Sequence, residues 1–273
     1  MITIEQLPAL DDNSVWAVAI DDDTIAHGRR AFVVDPGEPG PVQAWLARTG
    51  RRLEAILCTH HHGDHIGGVD ALRQATGCCV VGASRDRHRL PPLDDAVAPG
   101  DVVEVAGVTL RVLDVAAHTL GHIAFALDAA VDLVIRHGHG GSARPIPSLA
   151  GRPALFVGDS LFGAGCGRLF EGTGAQLHAA LSTLAAQDPR ALICCAHEYT
   201  AANLRFAVAV CPDRPAVAER LSQLLREMAG TASSLPSTLA LELQTNPFLL
   251  ALHGPDPVAA VTDLRRRKDT FAG

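Results

Sequence analysis

Short apolar runs closed by turn residues recur along the first two-thirds of the chain, and each reads as a strand. Residues 14–20 and 31–34 are the first two, the second closed by Asp35-Pro36-Gly37. Residues 41–48 have helical spacing with Gly50 as a stop. Residues 53–58 are strand-like again, 69–75 form a short helix ended by Gly77, and 79–83 form another strand. Strand, helix and strand in that order predict a βαβ unit with a right-handed crossover. Residues 101–105 and 108–115 make a hairpin about Ala106-Gly107, and 122–127 and 154–157 add two strands. Between these last two, residues 136–153 are dense in Gly, Pro and Ser and read as a mobile surface loop. From about residue 173 the pattern changes. A helix over 175–185 and a strand over 191–195 are followed mostly by helices, at 203–210, 215–228 and in shorter pieces beyond Pro236. Many strands with few helices between them predict a mixed α/β sandwich rather than a doubly wound sheet. The expected division is a sandwich domain over 1–172 and a mostly helical region over 173–273.

Composition narrows the class. The 273 residues carry a net charge of -7, which argues against a protein held to nucleic acid by phosphate contacts. No apolar run approaches membrane-spanning length, and the N-terminus lacks a basic-then-apolar leader, so a soluble cytoplasmic protein is expected. The seven cysteines include two adjacent pairs but no C-x-x-C, which fits buried reduced thiols.

The chemistry concentrates in Thr59-His60-His61-His62-Gly63-Asp64-His65, directly after the strand at 53–58. Gly63 with Gly67-Gly68 reads as a tight turn leading into the next helix. Imidazole and carboxylate are donors that zinc, iron and manganese accept. One loop supplies only part of two coordination shells, so partners must lie further on. Three positions share one pattern, a donor at the end of an apolar strand: His118, Asp159 and His197. Loops at one rim of a sandwich converge, which makes seven donors enough for two metals sharing one carboxylate. His137 and His139, in the Gly-rich loop with no carboxylate nearby, are a poor site. Asp35 reads equally as a turn residue or as a group behind a metal ligand.

The series T-H-x-H-x-D-H, His118, Gly158-Asp159 and His197 resembles the metallo-β-lactamase superfamily, whose fold is an αββα sandwich. Residues 165–172 (Gly-Cys-Gly-Arg-Leu-Phe-Glu-Gly), His197-Glu198-Tyr199-Thr200, Asn246-Pro247-Phe248 and Arg265-Arg266-Arg267-Lys268-Asp269 resemble its glyoxalase II branch, the hydroxyacylglutathione hydrolases. Asp12-Asn13 matches in part. The resemblance implies that His60, His62 and His118 hold one divalent metal, that Asp64, His65 and His197 hold another, and that Asp159 bridges them. Zinc comes first among the metals, with iron or manganese also accepted, and His61 is left out. It further implies hydrolysis of S-(2-hydroxyacyl)glutathione, such as S-lactoylglutathione, in methylglyoxal detoxification. A hydroxide held between the metals would attack the thioester carbonyl, and Asp64 would take a proton as the tetrahedral intermediate collapses. Arg265 and Lys268 would hold the glycine carboxylate, and Arg168 and Tyr199 the peptide. Lys268 is the only lysine of the chain and Tyr199 its only tyrosine.

Three features depart from that branch. Ala116-Ala117 replaces Pro-Gly before His118, Phe170 replaces a glutathione-contacting tyrosine, and the 136–153 segment is longer. They bear on thiol specificity more than on hydrolysis. The rival readings are a mononuclear-iron glutathione persulfide dioxygenase and a non-enzymatic metal-binding protein on the same scaffold. The expected assembly is a monomer or a weak homo-oligomer.

Overall fold

The chain begins with β1 (Ile2–Ala9) and β2 (Asn13–Asp21), an antiparallel pair running from Ile2 opposite Ile20 to Ala9 opposite Asn13. The structure is a computed structural model describing residues 1–21, 28–136, 143–228 and 233–272. β3 (Arg29–Val34), α1 (Gly40–Thr49), β4 (Arg52–Leu57), α2 (Gly63–Ile66), α3 (Val69–Thr76), β5 (Cys79–Ala83) and β6 (Asp95–Val97) follow. Next come β7 (Val102–Val105), β8 (Val108–Asp114), β9 (Ile123–Arg136), β10 (Ala143–Pro145), β11 (Arg152–Gly158), β12 (Leu161–Phe162) and β13 (Gly165–Cys166). The remainder is α4 (Gly174–Ala185), β14 (Leu192–Cys195), α5 (Thr200–Val210), α6 (Pro215–Met228), β15 (Ser237–Thr238), α7 (Leu239–Thr245), α8 (Pro247–Leu250) and α9 (Pro257–Asp269).

One sheet is ordered β1-β2-β3-β4-β5-β6; the other places β9 between β8 and β11, with β14 and β15 beyond β11. β9 belongs to both. Its start pairs with β8 and β11, and its end pairs in parallel with β1, Thr3 opposite Asp132. The layers explain why the strand runs are apolar throughout rather than alternating. Trp16, Val18 and Ile20 of β2 enter the core shared with the second sheet, where Phe32 and Phe156 meet edge to face at 6.1 Å. Val15, Ala17 and Ala19 face the other way, onto Val42 and Trp45 of α1 and Leu72 of α3. On the far side, α4 buries Leu177, Leu181 and Leu184 and packs beside β8, α8 and α9. Each fully buried side chain of this size contributes roughly 2 kcal/mol. The result is the αββα sandwich with a C-terminal helical region.

β4 and β5 are parallel across α3, as the βαβ reading requires. Four details differ from expectation. Gly63–Ile66 is itself a turn of helix rather than a turn before one. β9 runs 14 residues, well past Leu127. The 136–153 segment is not loop throughout, since Ala143–Pro145 pairs with the end of β9 and Pro147–Leu149 forms a 3-10 turn. That strand is set by backbone pairing, which a Gly/Pro-rich composition does not announce. His137 and His139 lie outside the described residues. β1 was not singled out as a strand either; it buries Ile4 and Leu7 on opposite sides of its sheet.

Candidate metal centre

All seven donors singled out in the sequence come together at one rim of the sandwich. His60 to His65 follow β4, His118 follows β8, Asp159 follows β11, and His197 follows β14. His62 is extended (φ -62°, ψ 143°) and the helical turn starts at the next residue, so His62 and His65 diverge from one short loop. The turn after β3 presses against this loop. A Cβ on Gly37 would collide with the Asp64 carbonyl, so only bare backbone fits there.

The distances fall into two sets. His60 Nε2 and His118 Nε2 each lie 3.0 Å from His62 Nδ1. Asp64 Oδ2 lies 3.4 Å from His65 Nε2 and 3.3 Å from His197 Nε2. Asp159 stands between them, with Oδ1 3.4 Å from both His65 Nε2 and His197 Nε2, and Oδ2 3.4 Å from His118 Nε2. Four nitrogen or oxygen donors placed tetrahedrally around zinc are about 3.3 Å apart, close to these separations. Among the described residues His65 Nε2 and Asp159 Oδ1 are buried with no hydrogen-bond partner, an arrangement that costs free energy unless a cation occupies the space between them. The donor set therefore fits divalent metal.

The far nitrogens are held so that the near ones point inward. His65 Nδ1 donates to Asp35 Oδ2 at 3.1 Å, and His197 Nδ1 to Asp12 Oδ1 at 2.8 Å. His118 Nδ1 donates to the Arg168 carbonyl at 2.7 Å. Thr59 Oγ1 donates to Asp35 Oδ2 and so accepts from His60 Nδ1. Of the two readings of Asp35, the supporting one describes its place: it sits behind His65, at φ 52°. Asn13 donates to Asp64 Oδ2 at 3.2 Å.

Burial drives the His60, His62 and His118 pKa values down, which leaves them neutral and able to donate lone pairs. Burial alone would lower His65 as well, but Asp159, Asp35 and Asp64 outweigh it and hold it well above its ordinary value. The His197 and His65 rings, whose Nε2 atoms face it at 3.3 and 3.4 Å, keep the Asp64 carboxyl far below the usual range. The carboxylates Asp64, Asp159 and Asp35 thus favour positive charge around His65.

Sequence reasoning missed His122. It is fully buried, stacks on the His60 ring at 4.5 Å, and accepts the Asp159 backbone N–H on Nε2 at 3.1 Å. Its Nδ1 faces the Ile123 carbonyl at 3.1 Å, which selects the tautomer. Gly158 makes room for it: φ is 50°, and a Cβ would strike Thr59 Oγ1 and the His122 ring. The signal was present as an imidazole opening an otherwise apolar strand.

The five residues expected to meet substrate line one cleft of about 470 Å³ that also contains His118 and Asp159. The Tyr199 ring stacks flat on His197 at 4.8 Å, and burial together with nearby carboxylates pushes its pKa up to about 12, so it stays a phenol. Phe170, 61% exposed, sets its ring edge-on to His62 and His118. Lys268 Nζ stands over the Phe206 and Phe271 rings and donates to the Ala202 carbonyl at 3.3 Å. Arg168 Nε lies 3.3 Å from Asp269. Arg265 is only 6% exposed, with its guanidinium committed to the Cys166 carbonyl at 2.7 Å and to Asp269 at 2.9 Å. Arg265 therefore also braces the 165–172 loop.

Residues 11–197 match the metallo-beta-lactamase superfamily, and the chain belongs to it. The fold agrees with solved structures of ETHE1 from Myxococcus xanthus (TM-score 0.64, 20% identity, 98% of this chain and 92% of that one) and of the BLEG-1 B3 metallo-beta-lactamase (0.61, 20%, 91% and 99%). Residues 198–271 match the hydroxyacylglutathione hydrolase C-terminus. A hydroxyacylglutathione hydrolase of Pseudomonas putida is 48% identical over 99% of this chain and all of its own, and one of Jannaschia sp. is 42% identical over 97% of each. Within the superfamily, the chain is a member of the hydroxyacylglutathione hydrolase family. No helix among the described residues is long and apolar enough to cross a membrane.

Proposed function

We propose that this protein is a thioester hydrolase that cleaves S-(2-hydroxyacyl)glutathione to a 2-hydroxy acid and glutathione. The observation that carries the reading is Asp159, whose two oxygens face two different donor sets at the floor of a cleft lined by Arg168, Tyr199 and Lys268. His60, His62 and His118 would hold one divalent ion, Asp64, His65 and His197 another, with Asp159 shared and zinc the first choice. When bound, such a pair acidifies a water toward neutral pH and polarises a carbonyl. The remaining work falls to the chain. Asp12, Asp35, Thr59 and the Arg168 carbonyl fix ligand orientation. The Asp64 side chain, held far below the usual carboxyl range, stays ionised as a donor, and the proton released as the tetrahedral intermediate collapses passes to the departing thiolate. Lys268 meets the glycine carboxylate of glutathione, while Arg265, expected to share it, is committed to the Cys166 carbonyl and Asp269; Arg168 and the Tyr199 hydroxyl contact the peptide. Phe170 offers an apolar lip in place of a hydroxyl. We place the metal-binding sandwich at 1–197, with α4 and β14 among its layers, and the glutathione-binding region after it, instead of dividing them at residue 172.

Metal analysis with turnover of S-lactoylglutathione tests the reading: two metals per chain with thioester hydrolysis are expected. One iron with oxygen uptake on glutathione persulfide would replace it by the dioxygenase reading, and metal without turnover by a binding protein. The complete second donor set weighs against both. Lys268→Ala is expected to raise KM about tenfold while leaving kcat nearly unchanged, as loss of uniform binding requires. An unchanged KM would return Lys268 to the role of a packed surface residue.

A further inference from the structure

His61, between two donors, turns away from them. Its Nδ1 lies 2.9 Å from Oδ2 of Asp86, a carboxylate with no exposure at all. Asp86 accepts Arg89 Nε on its other oxygen at 2.5 Å. Arg89 then grips both oxygens of Glu171 with its two terminal nitrogens. Glu171 in turn accepts the Leu120 backbone N–H at 2.7 Å. A Cβ on Gly121 would collide with the Asp86 carboxylate, so the 118–122 loop is pressed directly onto the buried charge. Four segments separated in sequence are joined: the histidine loop, the turn at 84–89, the loop carrying His118, and residues 167–172.

A buried carboxylate is tolerated only with its partners in place, and a bidentate guanidinium–carboxylate pair fixes the orientation of both groups. Arg89 holds the Glu171 carboxyl down to about 2, so that pair stays charged throughout the neutral range. Next to Glu171, the Phe170 ring leans on His62 and His118, and the Phe170 and Gly172 amides donate to the His118 and Ala117 carbonyls at 3.2 and 3.0 Å.

We propose that the His61–Asp86–Arg89–Glu171 chain is a positioning clamp that sets the substrate loop at 167–172 over the metal donors, and so governs thioester binding rather than the chemical step. The kinetic part of this inference rests on the thioesterase reading; the structural part rests on geometry alone. The clamp gives a structural reason for the middle histidine of the run.

The test compares Glu171→Ala with Glu171→Gln, which keeps an acceptor for Leu120 and Arg89. In the alanine variant, KM for S-lactoylglutathione should rise about tenfold with kcat within about twofold, and glutamine should recover most of the loss. Metal content should not change. Amide exchange at Leu120, Phe170 and Gly172 should quicken about tenfold in the alanine variant while exchange in β9 and β11 stays put. Unchanged exchange at those three amides overturns the clamp whatever the substrate proves to be. Faster exchange with KM unmoved overturns its role in binding. A wild-type protein that leaves the thioester intact would sink the functional reading, and the exchange comparison would still decide the clamp.

Discussion

Asp159→Ala is expected to lose the second metal outright, to weaken the first, and to lower kcat/KM by at least about a thousandfold. The carboxylate has one oxygen 3.4 Å from His65 and His197 and the other 3.4 Å from His118, so its loss removes a donor from both sets at once. It also removes a negative charge that faces the crowded imidazoles. Asp159→Asn keeps the shape and one acceptor oxygen, and should fall between wild type and alanine. Metal stoichiometry after exhaustive dialysis is the measurement, alongside thioester turnover. An alanine variant that retains two metals at wild-type affinity would overturn the shared-carboxylate assignment.

The largest loss of stability is expected from Glu242→Ala. Glu242 is completely buried, and its oxygens accept from Arg220 at 2.6 Å, Ser237 Oγ at 2.5 Å, the Ala164 N–H at 2.8 Å and Asn246 Nδ2 at 3.1 Å. Removing one side of a buried pair strands the other, which costs about 3–5 kcal/mol. In a chain of this size that lowers Tm by about 10 °C. The same carboxylate secures the β12–β13 turn, because Asn246 beside it also donates to the Phe162 and Gly165 carbonyls. That turn leads into the loop bearing Arg168. Denaturant unfolding would read the effect, and a loss below about 1 kcal/mol would show that Arg220 finds another partner.

The donor set was legible because its chemistry is local. The candidate donors follow apolar runs, and the run itself announces the strand that delivers them. The groups behind the ligands were much less so. His118 is oriented by the Arg168 carbonyl, a main-chain atom that no residue type advertises. Asp12, distant in sequence from His197, is brought to it only by the fold, and His122 passes for the first residue of a strand. The residues proposed to meet substrate show the same division. Composition singled out Lys268 and Tyr199, but the commitment of Arg265 to Cys166 and Asp269 could be seen only with the chain folded. β10 and β15 are three and two residues long, and pairing with a neighbour is what makes them strands.

β9 makes the sandwich one mechanical body. A strand that hydrogen-bonds to β8 and β11 at one end and to β1 at the other cannot leave one sheet without pulling on the other. The histidine loop hangs from the first sheet, while His118, Asp159 and His197 hang from the second. The two halves of the donor set are therefore tied to a common spine, and their spacing is kept by a continuous ladder of backbone hydrogen bonds before any ion arrives.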